Sequence, residues 1–209
     1  MNESQWIDVS ATISDGMVRW PTDPAVHIYK AETIGVDGAV ANVTAISTTA
    51  HIGTHIDAPL HFIAGGEDVA SVDLKALTGT AKVFHIRNTK EIKYAEIREL
   101  GIEKGDRVLF RTRNSETNWE REPFKEDYVY LATDAAKYLA DKEIQCIGVD
   151  YRSLGSKEND PEVHMLMLSV PVIIIEGLKL GNVDAGEYDM VCLPLKIQGS
   201  DGGRSGRGC

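Results

Sequence analysis

Cysteine is scarce and badly spaced for cross-linking: Cys146, Cys192 and Cys209 are an odd number with no C-x-x-C pair. Neither a disulfide framework nor a zinc ribbon fits that pattern. Long apolar runs are missing too, the longest being Val170 to Ile175, far short of the roughly 20 residues a membrane-spanning helix needs. The start, Met1-Asn2-Glu3-Ser4-Gln5-Trp6, lacks a basic segment followed by an apolar one, so the expectation is a soluble, cytoplasmic protein. Basic residues are outnumbered 22 to 32, for a formal charge of −10. Such a surface repels polyanions and argues against nucleic acid or an anionic membrane as partner, which leaves a small molecule as the expected ligand. The chain has no G-x-S-x-G elbow, no Walker loop and no G-x-G-x-x-G, so neither an acyl-enzyme nor a nucleotide cofactor is expected.

Repeats, low-complexity stretches and Pro/Ser-rich linkers are also lacking, so residues 1–209 read as one domain. A chain of that length buries roughly 70 % of its unfolded surface. Strand-like runs occur at Trp6–Val9, Val26–Tyr29, Val43–Thr48, Lys82–Ile86, Val108–Arg111, Cys146–Val149, Val172–Ile175 and Met190–Leu195. Helices are expected over Lys93–Leu100, from a Thr133 cap through Asp141, and from Asp160-Pro161 onward, where Asp suits the cap and Pro the first turn. More strands than helices, in mixed order, point to an α/β domain around a mixed, barrel-like β core with a few flanking helices. The end, about residues 199–209, is glycine-rich and reads as a flexible tail whose first half borders the site.

What is present in unusual density is histidine. Three of six lie in His51-Ile52-Gly53-Thr54-His55-Ile56-Asp57-Ala58-Pro59-Leu60-His61. Imidazole and carboxylate are costly to bury without a partner. Gly53 and Pro59 forbid a long helix, so a strand ending near Ala50, one tight turn and an extended exit let His51, His55 and Asp57 converge. Two imidazoles and a carboxylate suit zinc or manganese with positions left open, the mark of a catalytic site. His61, beyond Pro59, is either a supporting group or a general acid/base. Glu176 ends an apolar strand, where it binds a cation or pairs with a basic side chain. His164 lies on a helix of core composition, Val163-His164-Met165-Leu166-Met167-Leu168, where a lone histidine is more often a satisfied core residue. His27 and His85, in strand-like runs, read as structural, and Asp68 and Asp73 as turn or helix caps.

The run His51-x-Gly53-Thr54-His55-x-Asp57-x-Pro59-x-His61-Phe62 resembles the metal-dependent cyclase/hydrolase family that includes bacterial kynurenine formamidase and isatin hydrolase. Trp20-Pro21-x-Asp23, His164, Glu176-Gly177-Leu178 and Leu193-Pro194-Leu195-Lys196 extend the resemblance over nearly the whole chain. It implies a swivelling β/β/α-type fold and a homodimer. It also implies two divalent ions, zinc with manganese as the alternative: His51, His55 and Asp57 hold one, while Asp57, His164 and Glu176 hold the second. His61 is then the proton donor and acceptor, and Trp20 an aromatic wall for a planar substrate.

The reaction so implied is amide hydrolysis by a metal-activated water. The favoured substrate is the aryl formamide N-formyl-L-kynurenine, giving formate and L-kynurenine; a cyclic amide such as isatin is the nearest rival. A non-catalytic module that binds a small acid through the same ions, and a purely structural zinc, are rivals of another class. Two departures from the family pattern stand out: Tyr151-Arg152-Ser153-Leu154 replaces a small residue, Pro and Ser, and the segment after Gly199-Ser200-Asp201-Gly202-Gly203 lacks a proline. Arg152 either pairs a substrate carboxylate or lies in solvent.

Overall fold

The computed structural model describes residues 6–205, so Cys209 and the end of the glycine-rich tail lie outside the described residues. The strands and helices in chain order are β1 (His27–Glu32), β2 (Val43–Ser47), β3 (His55–Asp57), β4 (Thr78–His85), β5 (Glu91–Ile92), α1 (Tyr94–Ile97) and β6 (Arg107–Arg111). They continue with β7 (Tyr130–Leu131), α2 (Thr133–Asp141), β8 (Cys146–Val149), α3 (Asp160–Leu168), β9 (Ile173–Glu176), β10 (Gly186–Val191) and β11 (Gly202–Arg204).

Seven of these strands form one mixed sheet in the order β10-β4-β6-β8-β9-β3-β11. The middle four run parallel, and their unbroken apolar runs, such as Cys146–Val149 and Ile173–Ile175, follow from burial on both faces. Alternate residues serve two cores. Val83, Leu109, Cys146, Ile173, Ile175 and Ile56 pack into one, while Val108, Phe110, Ile147, Val149 and Ile174 pack on the opposite face. That second face is covered by α2, through Ala135, Ala136 and Leu139, and by α3, through Val163, Met167 and Leu168. The chain just beyond β10 meets the end of β11 through a Pro194–Ser205 bridge, with Leu195 N donating to Arg204 O at 2.9 Å. The two edges thereby approach and the sheet curls, giving the mixed, barrel-like core that the strand pattern led us to expect.

Three local expectations are corrected. Trp6–Val9 is not a strand; pairing there is limited to a bridge between Ser10 and Leu178. Ala132, not Thr133, occupies the cap position of α2, because the Thr133 hydroxyl instead donates to Glu162 of α3 at 3.1 Å. The cap position of α3 falls on Asn159, with Asp160 already helical and Pro161 in the first turn.

The tail reading also changes. Gly202–Arg204 is a regular strand paired antiparallel with β3. Glycine is needed there for contact: a Cβ on Gly202 would stand 2.6 Å from His51 Cε1. β1 and β2 form a separate two-stranded ribbon, largely exposed. Among the described residues no helix is long and apolar enough to cross a membrane.

Candidate metal centre

The centre sits where the parallel strands end at their carboxyl termini, the usual place for a site in such sheets. In β3 the period of two points His55 and Asp57 to the helix-covered face and Ile56 to the opposite core. Antiparallel pairing sets His55 opposite Glu176 at the end of β9. α3 crosses the same face and delivers His164, which meets Glu176 Oε1 at 3.2 Å and Asp57 Oδ2 at 3.5 Å. His51 reaches Asp57 Oδ1 at 2.8 Å from the turn before β3, a turn that uses a left-handed backbone at Gly53. His55 Nε2 lies 3.5 Å from Asp57 Oδ1 and 3.4 Å from Glu176 Oε2. Residues 51, 55, 57, 164 and 176, separated along the chain, are thus brought together, and the last four are almost fully buried.

Whether these residues suit a cation can be tested on their hydrogen bonds. His55 Nδ1 faces the Gly53 carbonyl at 3.1 Å and His164 Nδ1 faces the Asp160 carbonyl at 2.8 Å. A carbonyl only accepts, so each Nδ1 carries the proton and each Nε2 is left to turn a lone pair inward. Those lone pairs face carboxylate oxygens, an arrangement that needs a positive charge between them. His55 Nε2 and Asp57 Oδ2 are buried without a hydrogen-bond partner. The donors fall into three groups, two of them deep, His51-His55-Asp57 and Asp57-His164-Glu176, and one at the mouth, His51-His61-Asp201, each with ligand atoms within 4.8 Å of one another. Two imidazoles with one carboxylate, and one imidazole with two, both fit borderline divalent ions.

Electrostatics agree. Burial opposes charge on His51, but Asp201 and Asp57 outweigh it and raise the imidazole to about 10. Burial likewise opposes charge on His55 and His164, yet both are raised, by Asp57 and Glu176. For Asp57, burial favours the neutral acid, but the facing imidazoles of His164, His51 and His55 prevail and hold it ionised. The pocket attracts cations, be they protons or metal. His61 departs from this pattern: burial lowers it, and the pull of Asp57 and Glu176 in the other direction is countered by the charges on His51 and His164.

His61 stacks on His51 with ring centroids 4.0 Å apart, and its Nδ1 lies 3.2 Å from Asp201 Oδ2. Asp201 also stands 3.1 Å from His51 Nε2. Sequence reasoning missed Asp201. The signal available was a lone carboxylate among glycines, Gly199-Ser200-Asp201-Gly202-Gly203, where the small residues let β11 lie against His51. Because a methyl group at 202 collides with that ring, Gly202→Ala is expected to displace His51 and weaken metal binding by about 10–100-fold. Competition against a chromophoric chelator measures this, and unchanged affinity would show that β11 does not position the ligand.

The centre opens on a cleft of about 220 Å³ lined by Trp20, Asp23, His61, Phe62 and Arg152, among others. Trp20 packs edge-to-face on Phe124 at 5.4 Å, and Phe62 stacks on His164 at 4.6 Å. Tyr151 turns away to stack on Tyr128 at 4.4 Å, whereas Arg152 is buried at the cleft and does not lie in solvent. His85 bonds the Val183 carbonyl at 3.0 Å and His27 lies on the exposed ribbon, so neither joins the centre.

The Cyclase family model matches residues 7–156, which include the histidine-rich bend. The chain belongs to the cyclase family. It is 30% identical to a kynurenine formamidase of Bacillus cereus over 97% of this chain and 95% of that protein. A solved structure described as a "Potential Metal-Dependent Hydrolase With Cyclase Activity" superposes with a TM-score of 0.85 at 35% identity, covering 97% of this chain and 96% of that one. Isatin hydrolase A from Labrenzia aggregata shares the fold, with a TM-score of 0.79 at 19% identity over 97% of this cyclase and 91% of that chain. His164 and Glu176 fall outside the matched segment, and α3 and β9 bring them to it.

Proposed function

We propose that this cyclase is a metal-dependent amide hydrolase that cleaves N-formyl-L-kynurenine to formate and L-kynurenine. The observation that carries this reading is one carboxylate, Asp57, shared by two buried donor sets at the floor of an aromatic-walled cleft. Similarity to the Bacillus cereus kynurenine formamidase over nearly the full length of both chains supports the substrate. His51, His55 and Asp57 would hold one ion, and Asp57, His164 and Glu176 a second, zinc by donor type with manganese as the alternative. Such ions supply Lewis acidity that lets water ionise near neutral pH and polarises an amide carbonyl.

The protein's own groups do the rest. His61 Nδ1 donates to Asp201, which leaves Nε2 as the base that takes a proton from the attacking water. The same nitrogen returns that proton to the leaving aryl amine as the C–N bond breaks. Trp20 and Phe62 hold the planar ring between aromatic surfaces. A homodimer is supported by the exposed apolar side chains of the β1–β2 ribbon and its connection, Tyr29, Ile34, Val36, Val40 and Ile46. Acidic charge and the absence of membrane-length helices among the described residues suit a cytoplasmic setting.

The test is to assay metal-loaded protein against N-formyl-L-kynurenine and isatin side by side, following formate release and ring opening. We expect kcat/KM for the formamide to exceed that for isatin by about 100-fold or more. A reversed preference would replace the formamide by a cyclic amide, and turnover of neither would defeat the assignment.

A further inference from the structure

The hydrolysis just described leaves charged groups of the cleft without a task, among them Arg152 and Asp23. The loop after β8 is anchored on both sides of Arg152, on the far side by Leu154 N donating to Glu176 Oε1 at 2.7 Å. Asp150 accepts from Thr112 N at 2.7 Å and Ser115 Oγ at 2.6 Å, and the Tyr151 hydroxyl exchanges hydrogen bonds of 3.2 Å with the backbone of Lys125. With its neighbours so fixed, the Arg152 side chain lies at the cleft, only 3% exposed.

Its guanidinium offers five N–H donors. One bonds the Val18 carbonyl at 3.3 Å and another the His51 carbonyl at 3.4 Å, both long, while Nε has no partner. Asp23 Oδ2 is 3.8 Å away, an ion-pair separation beyond hydrogen-bond reach. A buried cation in this condition is unfavourable unless an anion completes its bonds. The planar fork fits a carboxylate. A dianionic phosphate would meet Asp23, Asp160 and Glu176 in the same cleft, so a singly charged anion fits better. Asp23, partly exposed beside it, offers acceptors suited to an ammonium group.

We propose that Arg152 and Asp23 form a subsite for the charged head of an amino-acid substrate, Arg152 taking the carboxylate and Asp23 the ammonium. This rests on the amide-hydrolase reading and adds a basis for selecting zwitterionic aryl amides over uncharged ones.

Three aromatic amines test it by calorimetric titration of the metal-loaded protein: L-kynurenine, with carboxylate and ammonium; kynuramine, with ammonium alone; and 2-aminoacetophenone, with neither. L-kynurenine is expected to bind about 10–100-fold more tightly than kynuramine, the margin of a charge-assisted pair. Arg152→Met should abolish that margin and Arg152→Lys should keep part of it, while Asp23→Asn should abolish the margin between kynuramine and 2-aminoacetophenone. Equal affinities in the unmodified protein, no binding of any of the three, or a carboxylate margin that survives Arg152→Met would each overturn the subsite. The ligand series on the unmodified protein decides even if a variant fails to fold. Formate release is scored separately: margins present without turnover defeat the hydrolase and keep the subsite, and turnover without margins does the opposite.

Discussion

His61→Ala is expected to lower aryl-formamide hydrolysis by roughly 10²–10⁴-fold, the range for loss of a positioned proton-transfer group, while metal content stays at the level of the unmodified protein. The two halves of that result come from separate observations. His61 belongs to neither of the two deep sets, His51-His55-Asp57 and Asp57-His164-Glu176, that would hold the ions; its own group, with His51 and Asp201, is the shallower one at the mouth, so truncating it leaves both deep sets whole. It nevertheless stacks on His51 and is held by Asp201 at the mouth of the centre, where proton exchange with substrate and water takes place. Elemental analysis and steady-state kinetics on the same preparation make the comparison. Loss of metal together with activity would mean that His61 is a ligand, and retention of both would remove it from the chemistry. A binding module that merely captures a small acid predicts instead no turnover in the unmodified protein and unchanged ligand affinity in His61→Ala.

Asp57→Ala is expected to be more damaging, because one residue belongs to both donor sets. Metal content should fall for both ions at once, and turnover should drop below the His61→Ala level. Stability should suffer as well. In the unmodified chain Asp57 is completely buried against His51, His55 and His164. Without it, the raised imidazoles of His55 and His164 keep Glu176 as a shared buried counter-charge, and that of His51 keeps only the half-exposed Asp201. Removing one partner from a buried ionic cluster costs about 3–5 kcal/mol, enough to lower the unfolding midpoint by several degrees in a chain of this size. Denaturant unfolding and metal analysis check both parts. Loss of one ion only would show that the two sets do not share Asp57.

Much of this arrangement was legible before folding, and its limits have physical causes. β8 over Cys146–Val149 and α2 over Thr133–Asp141 match their expected spans, since a buried parallel strand and an amphipathic helix each imprint a distinct apolar pattern. The convergence of His51, His55 and Asp57 was also readable, because spacing and the Gly53 turn are local properties. The strands that frame them were not. β3 and β11 are three residues each, His-Ile-Asp and Gly-Gly-Arg, with no run long enough to show alternation. They exist because neighbours on the sheet complete their hydrogen bonds, and that information is carried elsewhere in the chain. Asp201 was missed for the same reason, since its approach to His51 and His61 depends on β11 docking beside β3. Composition alone left Arg152 between substrate and solvent; its burial was decided by packing around Asp150 and Tyr151, distant in kind from anything its own side chain announces.

The contact between His61 and Asp201 spans 140 positions along the chain, and β3 is flanked by β9 and β11, both made long after it. During vectorial synthesis the histidine-rich bend therefore emerges well ahead of the groups that enclose it. Such high contact order delays closure, so a growing polypeptide displays imidazoles and a carboxylate that can hold an ion only loosely. Tight loading then becomes a late event in maturation, coupled to docking of the final strand.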